Sequence, residues 1–385
     1  MLEHTTLFAY GIFKVIYAPR EAFKEIIQNP RYLGPILIMV LFIAANVGSF
    51  YVLITKTYIE TTMPPLEKRD LWTESKTFWQ PLNGAECDEN STDYIAGNYY
   101  GNRSIMFWVS QSNKIAMQLQ NISVNCSQGG YSKLYLRVKW TSPKEKPINA
   151  SLRVFSGSES SYLNITSEFS NAAPNVWNNL TIPLRKGWDG EVNWGNITGL
   201  MLEMAWNQPS DIKVLVDGLF FGGVYKPYAE GAVTVLALYA ANSFMQFTLR
   251  WFFLGGMIYV LVRLFKAKAV WRVVLILAGF ALITMFIQAL VNTVAFSALP
   301  KLEYSLGYMG GVKGEAETAY DKILEETWLI NRIYSVAQII TLVWTVVLCA
   351  IAVRLATELP WTTSILTTLI AYIVAIFLEN FLVQI

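Results

Sequence analysis

The chain carries eight Asn-x-Ser/Thr triplets, the acceptor sequence for N-linked glycosylation. All of them lie between residues 90 and 198, and none occurs elsewhere in the 385 residues. Because the modification is made on the outer or lumenal side of a membrane, the cluster predicts a glycosylated extracytoplasmic domain. The acceptor residues are Asn90, Asn102, Asn121, Asn125, Asn149, Asn164, Asn179 and Asn196.

Two of the three cysteines, Cys87 and Cys126, lie in the same stretch. An oxidising exterior favours a disulfide between them, and a loop of about 40 residues would then be closed. The alternative is a pair of buried free thiols. Cys349 lies in an apolar segment and is interpreted as a small packing residue.

The remaining composition argues against common enzyme chemistry. His4 is the one histidine, so a multi-His metal site or a His-based catalytic triad is excluded within one chain. The carboxylates Asp189, Glu191 and Glu203 have no spacing that demands a glycosidase pair. A net charge of +2 gives no field that would recruit nucleic acid. We therefore expect no catalytic residues.

Five polar residues occur within long apolar runs, where a polar side chain is costly and often functional. Counting back from the basic residues near 263 places Arg250 about 20 Å from the inner membrane boundary. The other four fall at a similar depth, and we expect Arg250 to pair with Glu379. Interhelical bonding or snorkelling to headgroups would also explain the layer, and a conduction or substrate site is a further alternative. The layer consists of Arg250, Gln288, Asn292, Gln338 and Glu379.

The elements that must position this layer are membrane helices. Charged residues are 15% of the chain, against about 25% in soluble proteins. An inner interfacial helix is predicted within residues 1–32, ahead of an uncleaved signal anchor. The predicted spans are residues 33–54, 243–264, 269–296, 333–353 and 362–383, the last four within 231–385.

Charge asymmetry predicts the orientation of these spans. The N-terminal segment, the link around residues 263–272 and the link at Arg354 are basic, whereas the loop 302–328 is acidic. The positive-inside rule then places the N-terminus in the cytoplasm and the acidic loop and C-terminus outside. The glycosylation triplets demand the same arrangement of a multi-pass protein in a cell membrane. Dense triplets without a eukaryotic signal sequence favour an archaeal envelope, with an organellar lumen as the alternative.

Residues 60–227, between the first and second spans, have the alternation of β-strands. Residues 133–140 and 151–155 alternate apolar and polar side chains, and prolines and glycines separate such runs. We expect an all-β sandwich. Trp188 and Trp206 lie beside turns and could stack on sugar rings, although a sandwich core also needs several tryptophans and core packing is the more common role.

The second half of this domain resembles the jelly-roll sandwich of carbohydrate-binding modules and galactose-binding-like domains. The resemblance rests on NVWNNLTIPL at residues 175–184, WGNITGL at 194–200 and KVLVDGLFF at 213–221. It implies an all-β jelly roll and says little about the ligand. Asp217 matches a position that is structural in relatives, sometimes beside calcium. A turn-forming Asp before Gly218 is the alternative, and no other cofactor is expected.

The apolar part resembles the Yip1 domain over residues 8–54 and about 245–385. The similarity rests on YAPREAFKEI at residues 17–26 followed by Pro30, on five spans, on Gly255-Gly256, and on a terminal hairpin with a short link at Arg354. Eukaryotic relatives act in vesicle trafficking with small GTPases. The inserted domain is a large departure from that pattern.

Together these features predict a five-span helical bundle with a β-sandwich ectodomain inserted after the first span. We expect a non-catalytic protein whose ectodomain binds glycans or envelope proteins, while its helices contact lipid and form an assembly scaffold within a membrane-protein complex. The alternatives are a transporter or its accessory subunit, and a Yip1-like trafficking protein.

Overall fold

The computed structural model describes residues 12–383, which form two compact units. Among the described residues, the helical unit comprises residues 12–57, 227–302 and 326–383, and the sheet unit comprises residues 58–226 and 303–325. Each unit therefore combines segments that are distant in the sequence. Residues 1–11 of the predicted N-terminal segment, with His4, and residues 384–385 lie outside the described part of the chain.

The helical unit is built from long apolar helices. A helical stretch at residues 12–17 precedes the short helix α1, which starts with Pro19 at its first position, as helices tolerate. The helices are α1 Pro19–Gln28, α2 Leu33–Lys56, α3 Ala232–Leu264, α4 Trp271–Ala281, α5 Ile283–Ser297, α6 Glu315–Thr357 and α7 Trp361–Val383. Among the described residues, five segments are long and apolar enough to cross a membrane: Leu33–Lys56, Ala232–Leu264, Trp271–Ser297, Glu315–Thr357 and Trp361–Leu382.

A glycine allows the helices α2, α3 and α4 to approach closely. A Cβ atom at Gly279 of α4 would lie 2.5 Å from Pro35 Cβ of α2 and 2.6 Å from Trp251 Nε1 of α3. The Trp251 indole N–H donates to the Leu275 carbonyl at 2.7 Å. Small residues are typical where membrane helices pack, because lipid supplies no hydrophobic force between them.

Two helices are longer than the predicted spans. The apolar run at residues 231–265, of which 243–264 was expected to cross, is the single helix α3. The helix α6 begins at Glu315, inside the segment 302–328 that the sequence suggested was a loop. Favourable acidic residues in its first turn, Glu315 and Glu317, explain why a helix can start there.

The sheet unit is a β-sandwich organised by two long strands. β4 and β9 pair antiparallel along their length and bend at an irregularity between Val109 and Lys114. β6 and β7 continue one half of β9, and β5 and β8 continue the other. The strands are β1 Thr57–Met63, β2 Trp79–Leu82, β3 Glu86–Asn90, β4 Ser104–Leu119, β5 Lys133–Ser142, β6 Asn149–Ser156, β7 Glu159–Asn164, β8 Asn178–Pro183, β9 Gly199–Pro227 and β10 Leu302–Tyr304.

Strand alternation sends apolar side chains into one common core. Leu134, Leu136 and Val138 of β5 are buried there with residues of β4, β6, β8 and β9. The intervening residues Tyr135 and Arg137 point to the other face of the sheet and are also buried. A second layer therefore has to cover that face.

Residues 303–325 supply this second layer. Leu306, in a short 3₁₀ turn, packs with Ile95, Tyr100, Tyr135 and Phe220 in a separate buried cluster. The sequence analysis treated these residues as an acidic outer loop. They pack as part of the sheet unit, because they cover apolar surface that β5 and β9 would otherwise expose.

The predicted disulfide is wrong, because Cys87 and Cys126 are both free thiols. Cys126 is completely buried in the sandwich core, and Cys87 lies half-buried on β3 opposite Phe107 of β4. Burial raises the pKa of the Cys126 thiol to about 12, which suits a small apolar packing residue. Cys349 is likewise a buried free thiol.

Candidate functional site

A polar cavity of about 500 Å³ lies inside the helical unit. Residues from α2, α3, α5, α6 and α7 line it, so it is formed by nearly the whole bundle. All members of the sequence-predicted polar layer are part of its wall: Arg250, Gln288, Asn292, Gln338 and Glu379.

Arg250 and Glu379 form a bidentate ion pair at this cavity. Arg250 Nε donates to Glu379 Oε2 at 2.7 Å, and a terminal guanidinium nitrogen donates to Oε1 at 2.8 Å. The Glu379 carboxylate is 3% exposed. Parallel N–H···O bonds are the strongest arrangement for such a pair, and each charge compensates the burial of the other. The pair leaves the cavity without net charge.

Amides and phenols supply the rest of the polar wall. Asn292 is 8% exposed, and its Oδ1 has no hydrogen-bond partner among the described residues. Asn46 donates to Ser243 Oγ at 2.8 Å on the same side of the bundle. Six further polar lining residues were not predicted from the sequence, although the depth count used for Arg250 places Asn46 at a comparable level. They are Asn46, Tyr239, Gln246, Tyr334, Tyr372 and Asn380.

A second cavity, a cleft of about 470 Å³, lies in the sheet unit. One wall comes from β5, β8 and β9, and the other comes from residues 303–323. The tyrosines Tyr304 and Tyr308 contact each other edge to face with ring centroids 5.2 Å apart. The cleft is rich in phenol rings and hydrogen-bonding side chains: Tyr135, Tyr225, Tyr304, Tyr308, Lys133, Asn179, Thr181 and Lys322.

A buried ion pair holds the two walls of this cleft together. The Arg137 side chain is fully buried and donates to Glu315 Oε1 at 2.6 Å and to the Gly218 carbonyl at 2.9 Å. The guanidinium also lies 5.5 Å from the ring centroid of Tyr100. Asn179 Nδ2 donates to the same Glu315 oxygen at 2.9 Å. Glu315 is therefore the acidic partner that a buried cation requires.

Tyr100 and Glu60 also form hydrogen bonds with the wall made by residues 303–323. The Tyr100 hydroxyl donates to the Gly310 carbonyl at 2.5 Å, and burial raises the pKa of Tyr100 to about 12. Glu60 accepts from the Tyr135 hydroxyl at 2.9 Å and from the Leu306 backbone N–H at 2.6 Å. The cover formed by residues 303–325 is thus attached through four polar contacts, two of them at Glu315.

The glycosylation triplets are accessible on the sheet unit. Seven of the eight asparagines are exposed, and Asn90 is half-buried. The side-chain oxygens of Asn90 and Asn125 accept hydrogen bonds from the hydroxyl of the third triplet residue, at 2.9 and 2.7 Å. The amide nitrogens of two acceptors are themselves bonded, that of Asn90 to Met106 Sδ at 3.8 Å and that of Asn179 to Glu315 Oε1 at 2.9 Å.

The two tryptophans expected to stack on sugars have different environments. Trp206 is 3% exposed and its indole N–H donates to the Glu145 carbonyl at 2.9 Å, so it is a core residue and that expectation is wrong. Trp188 is half-buried and contacts Trp194 edge to face at 5.6 Å. Trp188 remains a candidate platform outside the cleft.

Asp217 has a structural environment. It is fully buried and accepts hydrogen bonds from the Ile95 and Gly218 backbone N–H groups at 2.7 Å and from Thr73 Oγ1 at 3.2 Å. Burial, and then the neighbouring Asp70, raises the pKa of Asp217 well above its usual range. A proton on this carboxyl relieves the repulsion between the two acids.

The calcium expectation can be tested against these residues. Calcium takes about six to eight oxygen ligands. Both Asp217 oxygens are already occupied by N–H or O–H donors, and no group of three or more His, Cys, Asp or Glu side chains occurs among residues 12–383. These side chains do not supply a calcium coordination shell, so we derive no role for the ion.

Comparison with known families supports the resemblance of the apolar part of the chain. The family model described as the Yip1 domain matches residues 210–378. The likeness to the Yip1 domain is thereby confirmed for that range. Residues 8–54, which the sequence resemblance also included, lie outside the match.

Solved β-sandwich structures are similar to part of the chain. A carbohydrate-binding module of the beta-sandwich superfamily is 11% identical, with 38% of this chain and 58% of that chain covered and a TM-score of 0.28. The family 11 carbohydrate-binding module from Clostridium thermocellum, in complex with a mixed-linked tetrasaccharide, is 14% identical, with 42% and 94% covered and a TM-score of 0.28. A beta-1,2-glucanase from Parabacteroides distasonis is 14% identical, with 40% and 24% covered and a TM-score of 0.32. This chain thus spans 58% of the first and about a quarter of the glucanase. No curated protein matches the chain.

Proposed function

We propose that this is a non-catalytic membrane protein that binds a glycan on the extracytoplasmic side through the cleft of its sheet unit. The observation that carries the proposal is the wall of that cleft, which four tyrosines line together with amide, hydroxyl, ammonium and carboxylate groups. Flat aromatic faces with a few placed hydrogen-bonding groups are the chemistry that suits sugar rings and their hydroxyls. Its volume of about 470 Å³ lies in the range of small-molecule sites.

Within the cleft the groups divide into two roles. Tyr308 is 37% exposed, so its ring face can receive a sugar. Thr181 and Lys322 are exposed beside it and can bond to hydroxyl groups. The Arg137–Glu315 pair keeps the two walls at a fixed separation, which lowers the entropic cost of ordering the site on binding.

Binding by the full-length protein in lipid nanodiscs tests the proposal. A glycan array identifies the ligand, and titration of that ligand then measures its affinity for three variants. Because an aromatic contact contributes about 1 kcal/mol, Tyr308→Ala should weaken binding roughly fivefold. Tyr162→Ala, on β7 outside the cleft, is the matched control. Unchanged affinity of Tyr308→Ala together with loss in Trp188→Ala would move the site to Trp188 and overturn the proposal.

The proposed sidedness rests on two independent features of the chain. The acceptor triplets all fall in the sheet unit, and basic residues concentrate at the N-terminal segment, at residues 263–272 and at Arg354. We infer that the sheet unit is inserted between the first and second spans, outside the membrane, with the N-terminus in the cytoplasm. A protease added to intact cells should cleave between residues 58 and 226. Protection of that segment until the membrane is permeabilised would contradict the topology.

Transport of a small polar solute is the second candidate function, favoured by the cavity around Arg250 and Glu379. Flux in proteoliposomes that disappears in Arg250→Met and persists in Tyr308→Ala would favour it over glycan binding alone. The family likeness to Yip1 domains suggests trafficking only by association, since no residue described above performs such a role.

A further inference from the structure

We propose that the cavity in the helical unit is a second binding site, which takes a neutral sugar group independently of the glycan cleft. The cavity and the cleft share no residues and belong to different units. The proposal therefore does not rest on the function assigned to the sheet unit.

Asn292 presents an unpaired hydrogen-bond acceptor at the cavity. Asn292 is more than nine-tenths buried, lines the cavity, and leaves Oδ1 without a partner among the described residues. A buried polar atom without a hydrogen bond is costly, so such an atom at a cavity wall indicates a missing donor. A ligand O–H or N–H at this position would supply that donor.

The wall of the cavity carries no net charge. The Arg250 and Glu379 side chains neutralise each other through two hydrogen bonds, and the other polar lining groups are amides and phenols. An anionic or cationic ligand would therefore find no unpaired opposite charge. Amides both donate and accept, which matches hydroxyl groups that do the same.

The cavity has both polar and apolar lining residues and is accessible at one edge. Met285, Ile339 and Ile376 add apolar surface to the polar wall, and Gln338 and Asn380 are exposed at its edge. A mixed wall of this kind suits a sugar ring, which has apolar faces and a polar rim. The sugar can come from solution or from the headgroup of a glycolipid, and the chemistry is the same for both.

The experiment uses the full chain in phosphatidylcholine nanodiscs. One arm adds a monoglucosyl diacylglycerol and measures the bound lipid by native mass spectrometry. The other arm adds free glucose and measures the unfolding midpoint by tryptophan fluorescence. Phosphatidylglycerol is the charged control. We expect binding in at least one sugar arm and none of comparable strength for phosphatidylglycerol.

Variants assign the binding to the cavity. Asn292→Leu should weaken sugar binding about fivefold, the value of one hydrogen bond, while its unliganded form unfolds no earlier than wild type because an unpaired acceptor has been removed. Gln288→Leu changes another residue of the same wall and should also weaken sugar binding. It provides a second test if Asn292→Leu does not fold. Asn242→Leu, an exposed amide of α3 outside the lining, is the matched control.

The outcomes separate the two proposed sites. Binding that is unchanged in Tyr308→Ala and weakened in Asn292→Leu supports the cavity, whether or not the cleft binds glycans. Sugar binding in neither arm would overturn the inference. Equal binding of phosphatidylglycerol, or unchanged sugar affinity in both Asn292→Leu and Gln288→Leu, would also overturn it.

Discussion

Replacement of Glu315 by glutamine should release the cover from the sheet unit. Arg137 is fully buried and its charge is compensated by the Glu315 carboxylate at 2.6 Å. Glutamine keeps the shape of the side chain but leaves the guanidinium without an anion. Removing one partner of a buried pair costs about 3–5 kcal/mol, and part of that cost is the unpaired charge itself.

Arg137 Nε has no hydrogen-bond partner among the described residues. No acceptor at Nε is therefore in place to compensate the guanidinium charge when the Glu315 carboxylate is removed. The carbonyl of Gly218 and the ring of Tyr100 remain, and neither is anionic. We therefore expect the cost to appear as local opening of residues 303–316. An opening free energy that falls by about 3 kcal/mol accelerates amide exchange there roughly 150-fold.

Hydrogen exchange of the full chain in nanodiscs, analysed by mass spectrometry, measures this opening segment by segment. Glu317→Gln is the matched control, because Glu317 lies in the same helical turn and is exposed. Arg137→Met combined with Glu315→Gln should open less than Glu315→Gln alone, since no buried charge is left unpaired. Exchange in Glu315→Gln that equals exchange in Glu317→Gln would refute the reasoning.

Three other predictions follow from individual side chains. The pKa of Asp217 is raised in the folded state, so ionisation of this carboxyl destabilises the fold. Lowering the pH from that raised pKa toward about 4 should therefore increase the unfolding free energy of wild type relative to that of Asp217→Asn. Denaturant titrations measure this difference, and a relative decrease for wild type would contradict the prediction. Arg250→Met and Glu379→Gln should each lower the unfolding midpoint in detergent, whereas the double variant should recover part of the loss; additive losses would argue against a paired site. Glycopeptide analysis should find Asn179 less occupied than the other acceptors if the cover docks first, because its amide nitrogen bonds to Glu315, and equal occupancy would show that modification precedes docking.

The apolar helices could be predicted from the sequence because a bilayer of fixed thickness requires apolar runs of a minimum length. Hydrophobic length and depth counting grouped Arg250, Glu379 and Asn292 at one level, and the structure brings them to one cavity. The period-two pattern of β5 likewise indicated a sandwich, since alternate residues must face opposite sides of a sheet.

The remaining features depend on contacts between distant segments, which local patterns do not contain. Nothing near Arg137 in the sequence indicates that its partner is Glu315, and the acidic character of residues 302–328 suggested solvent rather than a packed layer. Trp206 was a candidate for sugar stacking because it lies beside a turn in the sequence, yet it is buried in the core as part of β9. The composition of the domain suggested a disulfide between Cys87 and Cys126, whereas the structure has Cys87 on β3 and Cys126 in the sandwich core as free thiols.

The cleft between β5, β8, β9 and residues 303–323 is the proposed glycan site. Electron cryomicroscopy of the full chain in nanodiscs, with the glycan selected on an array present in excess, tests this directly. We predict sugar density against the rings of Tyr308 and Tyr225. An empty cleft at saturating glycan, or sugar density at Trp188 instead, would contradict the account.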